Sequence, residues 1–180
     1  FLIENAGRMN RLVDDLLLAA RLSAGRHPPA RRLVDLREAV TAAVARAAPL
    51  AELAGAVLGC TLPDGPVTVL ADAEHVGVIL DNLLGNAVAY GGTSVTMEVA
   101  AADGAATASV SDNGRGIAEE MQERVFERFV RAGGPGTPPG TGLGLYISRE
   151  LATQLGGSLR LAASGPEVGS TFALRLPLAG

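Results

Sequence analysis

Hydrophobic residues recur at helical spacing along four stretches of the chain. Steps of alternately four and three residues predict one long amphipathic helix in the first 24 residues, with a seam typical of a coiled coil or helical bundle, formed by Leu2, Ala6, Met9, Val13, Leu16 and Ala20. Similar spacing predicts helices over about residues 36–53, 73–90 and 143–155. Asp72 is a candidate N-cap, and glycines follow the ends of the first three helices.

Alternating or β-branched runs predict strands over residues 56–62, 67–70, 158–163 and 171–176. Residues 94–100 and 106–110 flank Asp103-Gly104, which indicates a β-hairpin. Residues 112–144 are rich in loop formers, with one short helical stretch near 119–129 and a glycine- and proline-rich run at 133–140. The mixture predicts an α+β fold: a sheet covered by helices on one face, preceded by one long helix.

Composition restricts the class of protein. A chain of 180 residues with 48% hydrophobic and 19% charged residues indicates one globular domain with a short extension. A net charge of -4 and 3% aromatic residues predict no nucleic-acid partner. No apolar run reaches bilayer length, so we expect no direct membrane contact in this chain. The single cysteine, Cys60, excludes disulfide frameworks and cysteine-rich zinc sites, and favours a reducing cytoplasm.

All 15 basic residues are arginine, and the sequence contains no lysine. This excludes the P-loop and serine/threonine protein kinase motifs, because both require a lysine, and it excludes Schiff-base catalysis. Any phosphate must therefore be bound by backbone N–H groups, a metal ion or arginine.

The sequence from Asp112 to Gly116 has the pattern D-x-G-x-G directly after a predicted strand. A carboxylate fixed at a strand end can accept a hydrogen bond from an exocyclic amine, and glycines allow backbone to approach a flat ligand closely. A simple turn would produce the same pattern.

A second glycine-rich motif, Gly140-Thr141-Gly142-Leu143-Gly144-Leu145, opens the predicted helix over residues 143–155. Bare N–H groups at a helix N-terminus favour an anion and could bind phosphates without lysine. Close packing of a loop on the sheet is the alternative.

Asn82 and Asn86 are four residues apart on one face of the predicted helix over 73–90. Asparagine is unfavourable in mid-helix, and amide oxygens suit Mg²⁺ beside phosphates, so the pair indicates a site. A buried polar network would also explain it. Gly169-Ser170-Thr171-Phe172, before the last strand, supplies hydroxyl groups that could help to hold a base.

In this order and spacing, the motifs resemble the ATP-binding catalytic domain of two-component sensor histidine kinases, in the GHKL superfamily that includes DNA gyrase B. The N, G1, F, G2 and G3 elements correspond to residues 82–90, 112–116, 126–129, 140–145 and 169–171. The resemblance implies a two-layer α/β sandwich of the Bergerat type over residues 28–180. Residues 1–27 resemble the second helix of the dimerisation and histidine phosphotransfer hairpin, followed by a linker.

The resemblance implies a role for each motif residue. Asp112 would bind the adenine amine with help from Thr171 through water, and Tyr90 would stack near the base. Asn86 would hold Mg²⁺, with Asn82 nearby, and Arg131 would contact the phosphates. The catalytic group would thus be Asn82, Asn86 and Arg131. Residues 130–139 would form a lid, and the nucleotide would pass along the backbone of Gly114, Gly116, Gly140, Thr141, Gly142, Leu143, Gly144 and Leu145.

The sequence departs from the family pattern in two ways. Ala89 stands where many relatives have a basic residue, so we expect modest affinity. Neither His27 nor His75 lies in the family's phosphoacceptor motif, which places the acceptor histidine on a helix upstream of Phe1.

The implied protein transfers the γ-phosphate of Mg-ATP to that histidine. Its partners would be ATP, the acceptor hairpin of the same kinase in a homodimer, and a response regulator, in the cytoplasmic part of a membrane-anchored bacterial sensor. Three alternatives differ in chemistry. ATP hydrolysis is disfavoured because Asn82 replaces the glutamate base of related hydrolases. An anti-sigma serine kinase would lack the leading helix. The third alternative is a nucleotide-sensing binding module without transfer.

Overall fold

The computed structural model describes residues 2–25, 27–132, 140–166 and 168–180, and it describes the side chains of Met9 and of residues 12 onward within these ranges. Four helices lie in these ranges: α1 Leu2–Ser23, α2 Leu36–Leu53, α3 Ala73–Tyr90 and α4 Gly144–Gln154.

The strands of the described residues form two sheets. In chain order they are β1 Arg32–Asp35, β2 Val57–Thr61, β3 Thr68–Ala71, β4 Ser94–Ala102, β5 Ala105–Asp112, β6 Ser158–Gly165 and β7 Gly169–Pro177. The larger sheet has the order β2-β4-β5-β7-β6, with β2 parallel to β4 and the other pairs antiparallel. β1 and β3 form a separate antiparallel pair. The fold is therefore the α+β sandwich with a mixed sheet that the sequence predicts.

Helices α2 and α3 each begin at an aspartate whose carboxylate caps the helix N-terminus. Asp35 accepts a hydrogen bond from the Arg37 N–H and caps α2. Asp72 accepts from the N–H groups of Glu74 and His75 and caps α3, while its other oxygen accepts from Ala30 N–H at 2.6 Å. Each carboxylate satisfies N–H groups that the first turn of a helix leaves open. Asp72 also ties the segment after α1 to the sandwich.

Helices α2, α3 and α4 cover one face of the larger sheet. Along β4, Val95, Met97 and Val99 point into this layer, while the intervening residues are exposed. This alternation places one face of the sheet against the helices. The largest fully buried side chains are Leu36, Ile79, Leu80, Leu83, Leu84, Met97, Leu143, Ile147, Leu151, Leu155, Leu174 and Leu176.

At three places the structure differs from the sequence prediction or adds to it. Residues 32–35 form β1, which the sequence pattern did not predict because proline and arginine dominate this region. The predicted strands on either side of residues 63–66 do not pair with each other, since β2 joins the larger sheet and β3 pairs with β1. The helical stretch near 119–129 consists of two 3-10 turns, Glu119–Met121 and Arg124–Phe126.

Helix α1 has both a docked and an exposed face. Ala19 and Leu22 are buried against the sandwich, whereas Met9, Val13 and Leu16 of the predicted seam are 68%, 47% and 39% exposed. The side chains of Leu2 and Ala6 lie outside the described set. The described part of the seam thus remains open after the chain has folded.

Candidate functional site

Asp112 ends β5 and is half-buried. Its Oδ1 accepts hydrogen bonds from Gly114 N–H at 2.9 Å and from Ser170 N–H at 3.2 Å. No other described residue donates to this carboxylate, so its Oδ2 accepts no hydrogen bond from the described part of the chain. Burial raises the pKa of the Asp112 carboxyl, and the two backbone N–H groups oppose this shift without cancelling it.

The structure does not bring Thr171 next to Asp112. Thr171 pairs with Ser111 across β7 and β5, and the two hydroxyl oxygens are 2.9 Å apart. Asp112 pairs instead with Ser170, one residue earlier. Because successive side chains of a strand point to opposite faces, Thr171 lies on the face away from Asp112, and Ser170 is the neighbouring hydroxyl residue. Sequence reasoning missed Ser170, although the alternation along residues 170–176 could have indicated it.

Glycines bring the end of α3 against the turn after β5. A Cβ added to Gly114 would lie 2.8 Å from the Cα of Gly91 and would overlap the carbonyl oxygen of Tyr90. A Cβ added to Gly91 would lie 2.5 Å from the Cβ of Asp112. Only glycine permits this approach. The first and third motifs therefore meet at one place, with Tyr90 and Asp112 beside each other.

Asn82 and Asn86 differ in their surroundings. The Asn82 amide nitrogen donates to Gly144 O at 3.2 Å and to Ser148 Oγ at 3.1 Å. Asn82 thus connects α3 to the start of α4, and its amide NH₂ is occupied by that helix. Asn86, one turn later and partly buried, has no side-chain hydrogen bond with any described residue. The described part of the chain therefore leaves its side-chain amide without a hydrogen-bond partner.

The second glycine motif lies between α3 and the segment that follows the 3-10 turns. Gly140 faces Tyr90, since an added Cβ would be 3.8 Å from the phenolic oxygen. Gly142 has a φ of 71° and its carbonyl accepts from Phe129 N–H at 2.9 Å. Leu143 N–H donates to Thr141 Oγ at 3.1 Å. A Cβ added to Gly144 would lie 3.5 Å from the Asn82 amide carbon.

The remaining predicted residues surround this core of the site. Leu143 is buried in the hydrophobic core and Leu145 packs against it, so these two could reach a ligand only through their backbone. Gly116, with a φ of 70°, packs against the backbone of Gly165. Arg131 is exposed. Most of the predicted lid, residues 133–139, lies outside the described residues.

His75 is a buried polar residue that the predicted site does not include. It is 2% exposed, and its ring stacks on that of His27 with centroids 4.9 Å apart. Burial lowers the pKa of His75; Asp72 and Glu74 oppose this shift, and His27 adds to it. The pair lines a cavity of about 260 Å³ between α1 and α3.

The four motifs thus lie next to one another at one end of α3, between the half-buried carboxylate of Asp112 and the N-terminus of α4. Together with the sheet order, this defines a two-layer α/β sandwich domain. Residues 71–180 match the family described as histidine kinase-, DNA gyrase B-, and HSP90-like ATPase. The chain belongs to this family.

Several relatives are named as histidine kinases. The chain is 37% identical over 178 residues to the signal transduction histidine-protein kinase AfsQ2 of Streptomyces coelicolor, covering 97% of this chain and 32% of that protein. It is 34% identical to the sensor-like histidine kinase SenX3 of Mycolicibacterium smegmatis, covering 98% of this chain and 46% of the relative. The chain therefore spans less than half the length of these relatives.

Solved structures agree with the sequence relatives. The full-length ShkA structure in complex with AMPPNP superimposes with a TM-score of 0.87 at 30% identity, covering 98% of this chain and 37% of that one. The Acinetobacter baumannii histidine kinase AdeS shares the fold, with a TM-score of 0.82 at 20% identity, over 99% of this chain and 83% of that one. The chain thus contains a domain of this ATPase family, preceded by one helix, and it is similar to the corresponding part of the named histidine kinases. No helix among the described residues combines the length and hydrophobicity needed to cross a bilayer.

Proposed function

We propose that the chain binds Mg-ATP in the crevice and presents the γ-phosphate to a histidine on a partner helix. The carboxylate of Asp112 carries the proposal. Its Oδ1 is oriented by the N–H groups of Gly114 and Ser170, and no described residue donates to Oδ2. A carboxylate oxygen accepts but does not donate, so it matches the exocyclic amine of adenine. Tyr90 lies beside it, where the base would stack.

The other end of the crevice suits phosphates. The glycine motif leads into the N-terminus of α4, where backbone N–H groups and the helix dipole favour negative charge. Asn86 supplies an amide oxygen for Mg²⁺, and Arg131 supplies a positive charge at the edge. The described residues contain no group of three or more His, Cys, Asp or Glu suited to a metal. A magnesium ion that shares the phosphate oxygens and keeps several waters needs few protein ligands.

Phosphoryl transfer needs positioning and charge neutralisation more than covalent chemistry by the protein. When bound, Mg²⁺ would neutralise charge on the phosphates. The chain would orient the nucleotide through Asp112 and the glycine backbone. Since Asn82 donates its amide protons to α4, we assign it to fixing the loop rather than to proton transfer. This also disfavours robust ATP hydrolysis, because an amide cannot act as a general base.

The exposed seam of α1 supports a helical partner. Met9, Val13 and Leu16 present a continuous apolar row that α1 alone leaves exposed, and such a row is stabilised by packing on another helix. We propose that the first helix of the phosphotransfer hairpin and a second copy of the kinase cover it. A response regulator would then receive the phosphate. On this proposal, residues 1–27 belong to the hairpin and linker, and the chain is the cytoplasmic part of a membrane-anchored sensor.

The test separates transfer from binding alone. The chain is incubated with γ-labelled ATP and Mg²⁺, with and without a separately produced acceptor hairpin from a histidine kinase relative. We expect little label on the chain itself and acid-labile label on the hairpin. Strong labelling of the chain would contradict an upstream acceptor. Binding of ATP with no transfer to hairpins from several relatives would favour the nucleotide-sensing module instead.

A further inference from the structure

Helix α1 contacts the glycine motif directly. Thr141 Oγ donates a hydrogen bond to the Asp15 carboxylate, with 3.0 Å between the oxygens. The same hydroxyl accepts from Leu143 N–H, the residue that caps α4. One hydroxyl group therefore connects the negative charge of Asp15 to the N-terminus of α4, where the proposed function places phosphates.

A second contact holds α1 in this position. Arg128 Nη2 donates to Ser23 Oγ and to the Tyr146 hydroxyl, each at 2.6 Å, and its guanidinium lies 4.5 Å from the centre of the Tyr146 ring. Ser23 ends α1, and Tyr146 lies in the first turn of α4. Together with buried Ala19 and Leu22, this contact restricts how far Asp15 can move from Thr141.

We propose that Asp15 is a built-in electrostatic competitor of the nucleotide phosphates. The inference rests on the proposed function, because it concerns the same crevice. While α1 is docked as seen here, the Asp15 carboxylate interacts favourably with the α4 N-terminus and repels an incoming polyphosphate. Displacement of α1 would remove this repulsion. The position of α1 would thus regulate nucleotide affinity, and bound nucleotide would by reciprocity weaken the docking of α1.

The experiment compares Asp15→Asn with Asp14→Asn by calorimetry, using a non-hydrolysable ATP analogue with Mg²⁺. Both variants remove one negative charge from α1, but Asp14 is exposed and lines the cavity beside His75 instead of contacting Thr141. Asparagine at position 15 can still accept the hydrogen bond from Thr141, so the substitution removes the negative charge and keeps this contact. We expect Asp15→Asn to bind the ATP analogue about three- to fivefold more tightly than the original chain does. Asp14→Asn should bind it with the affinity of the original chain.

Two further readouts define the outcome. The gain in affinity of Asp15→Asn should be smaller for ADP, because ADP carries less negative charge. It should also decrease at high salt concentration, because the interacting charges are partly exposed. Equal affinities of the original chain and Asp15→Asn would overturn the inference while leaving the proposed function intact. Equal gains in both variants would also overturn it, since they would show only an effect of net charge. If neither the original chain nor Asp15→Asn binds the analogue, the proposed function fails and the inference with it.

Discussion

The amide nitrogen of Asn82 and the hydroxyl oxygen of Ser148 are 3.1 Å apart and join α3 to α4. Ser148 is fully buried, and Asn82 also donates to Gly144 O in the glycine motif. The helix that carries the candidate magnesium ligand is thereby fixed to the loop that would hold the phosphates. The two asparagines of one helix face therefore have different surroundings, and mutation can separate their contributions.

Replacement of Asn82 by alanine should destabilise the fold. The change removes two hydrogen bonds and leaves the Ser148 hydroxyl and Gly144 carbonyl without this partner, so we expect a loss of about 1 to 3 kcal/mol in the free energy of unfolding. Urea denaturation measures this. The matched control is Asn86→Ala, for which a change within about 0.5 kcal/mol is expected. Equal losses in both variants would show that the contact with α4 is not what distinguishes Asn82.

Replacement of Asn86 by alanine should instead affect the metal dependence of binding. If Asn86 supplies an amide oxygen to Mg²⁺, the enhancement of ATP binding by Mg²⁺ should fall about tenfold, which corresponds to about 1.4 kcal/mol. Titrations with ATP in the presence of Mg²⁺ or of a chelator measure the enhancement. Full retention of the enhancement in Asn86→Ala would remove this residue from the metal site.

Asp112→Asn should weaken ATP binding about ten- to a hundredfold, because it replaces a charge-assisted hydrogen bond worth about 1.5 to 3 kcal/mol. The free protein should not lose stability, since burial raises the pKa of Asp112 and the ionised carboxylate is unfavourable in the fold at neutral pH. Calorimetry and thermal unfolding measure the two effects. The control Asp103→Asn, at the exposed hairpin tip, also removes one negative charge. It should change neither the affinity for ATP nor the thermal stability. Unchanged affinity in Asp112→Asn would exclude Asp112 from the base site.

Acidification should destabilise the protein through His75. Burial lowers the pKa of this imidazole below 6.5, while the unfolded chain binds a proton near that value. Between the two pKa values the unfolded state holds more protons, so stability is greatest above about pH 6.5 and falls as the pH decreases below it. Thermal unfolding between about pH 7.5 and 5.5 measures this trend.

Two variants assign the pH effect to a residue. His75→Gln should flatten the dependence, whereas His27→Gln, which removes the stacked ring but keeps the buried one, should retain most of it. An unchanged pH dependence in His75→Gln would show that other groups cause the loss of stability.

The site could be predicted from the sequence where local chemistry is sufficient. Three features of the site are each encoded by a few consecutive residues. They are Asp112 at a strand end, the glycines after it, and the helix that follows the second glycine motif. The structure brings these segments together, with Gly114 against Gly91 and Gly140 near Tyr90. The hydroxyl beside Asp112 was placed one residue too late, because a shift of one position moves a side chain to the other face of a strand.

The sequence by itself determined the helix ends, the central hairpin, the fold class and the family to which the motifs belong. Each depends on propensity, hydrophobic period or glycine content within a short segment, which neighbouring residues largely specify. Tertiary structure alone decided that Ser170 rather than Thr171 adjoins Asp112, that Asn82 is bonded to α4, and that Asp15 contacts Thr141. These contacts join residues 58, 66 and 126 positions apart in the chain. Their geometry depends on strand register and helix packing, which the whole core sets together.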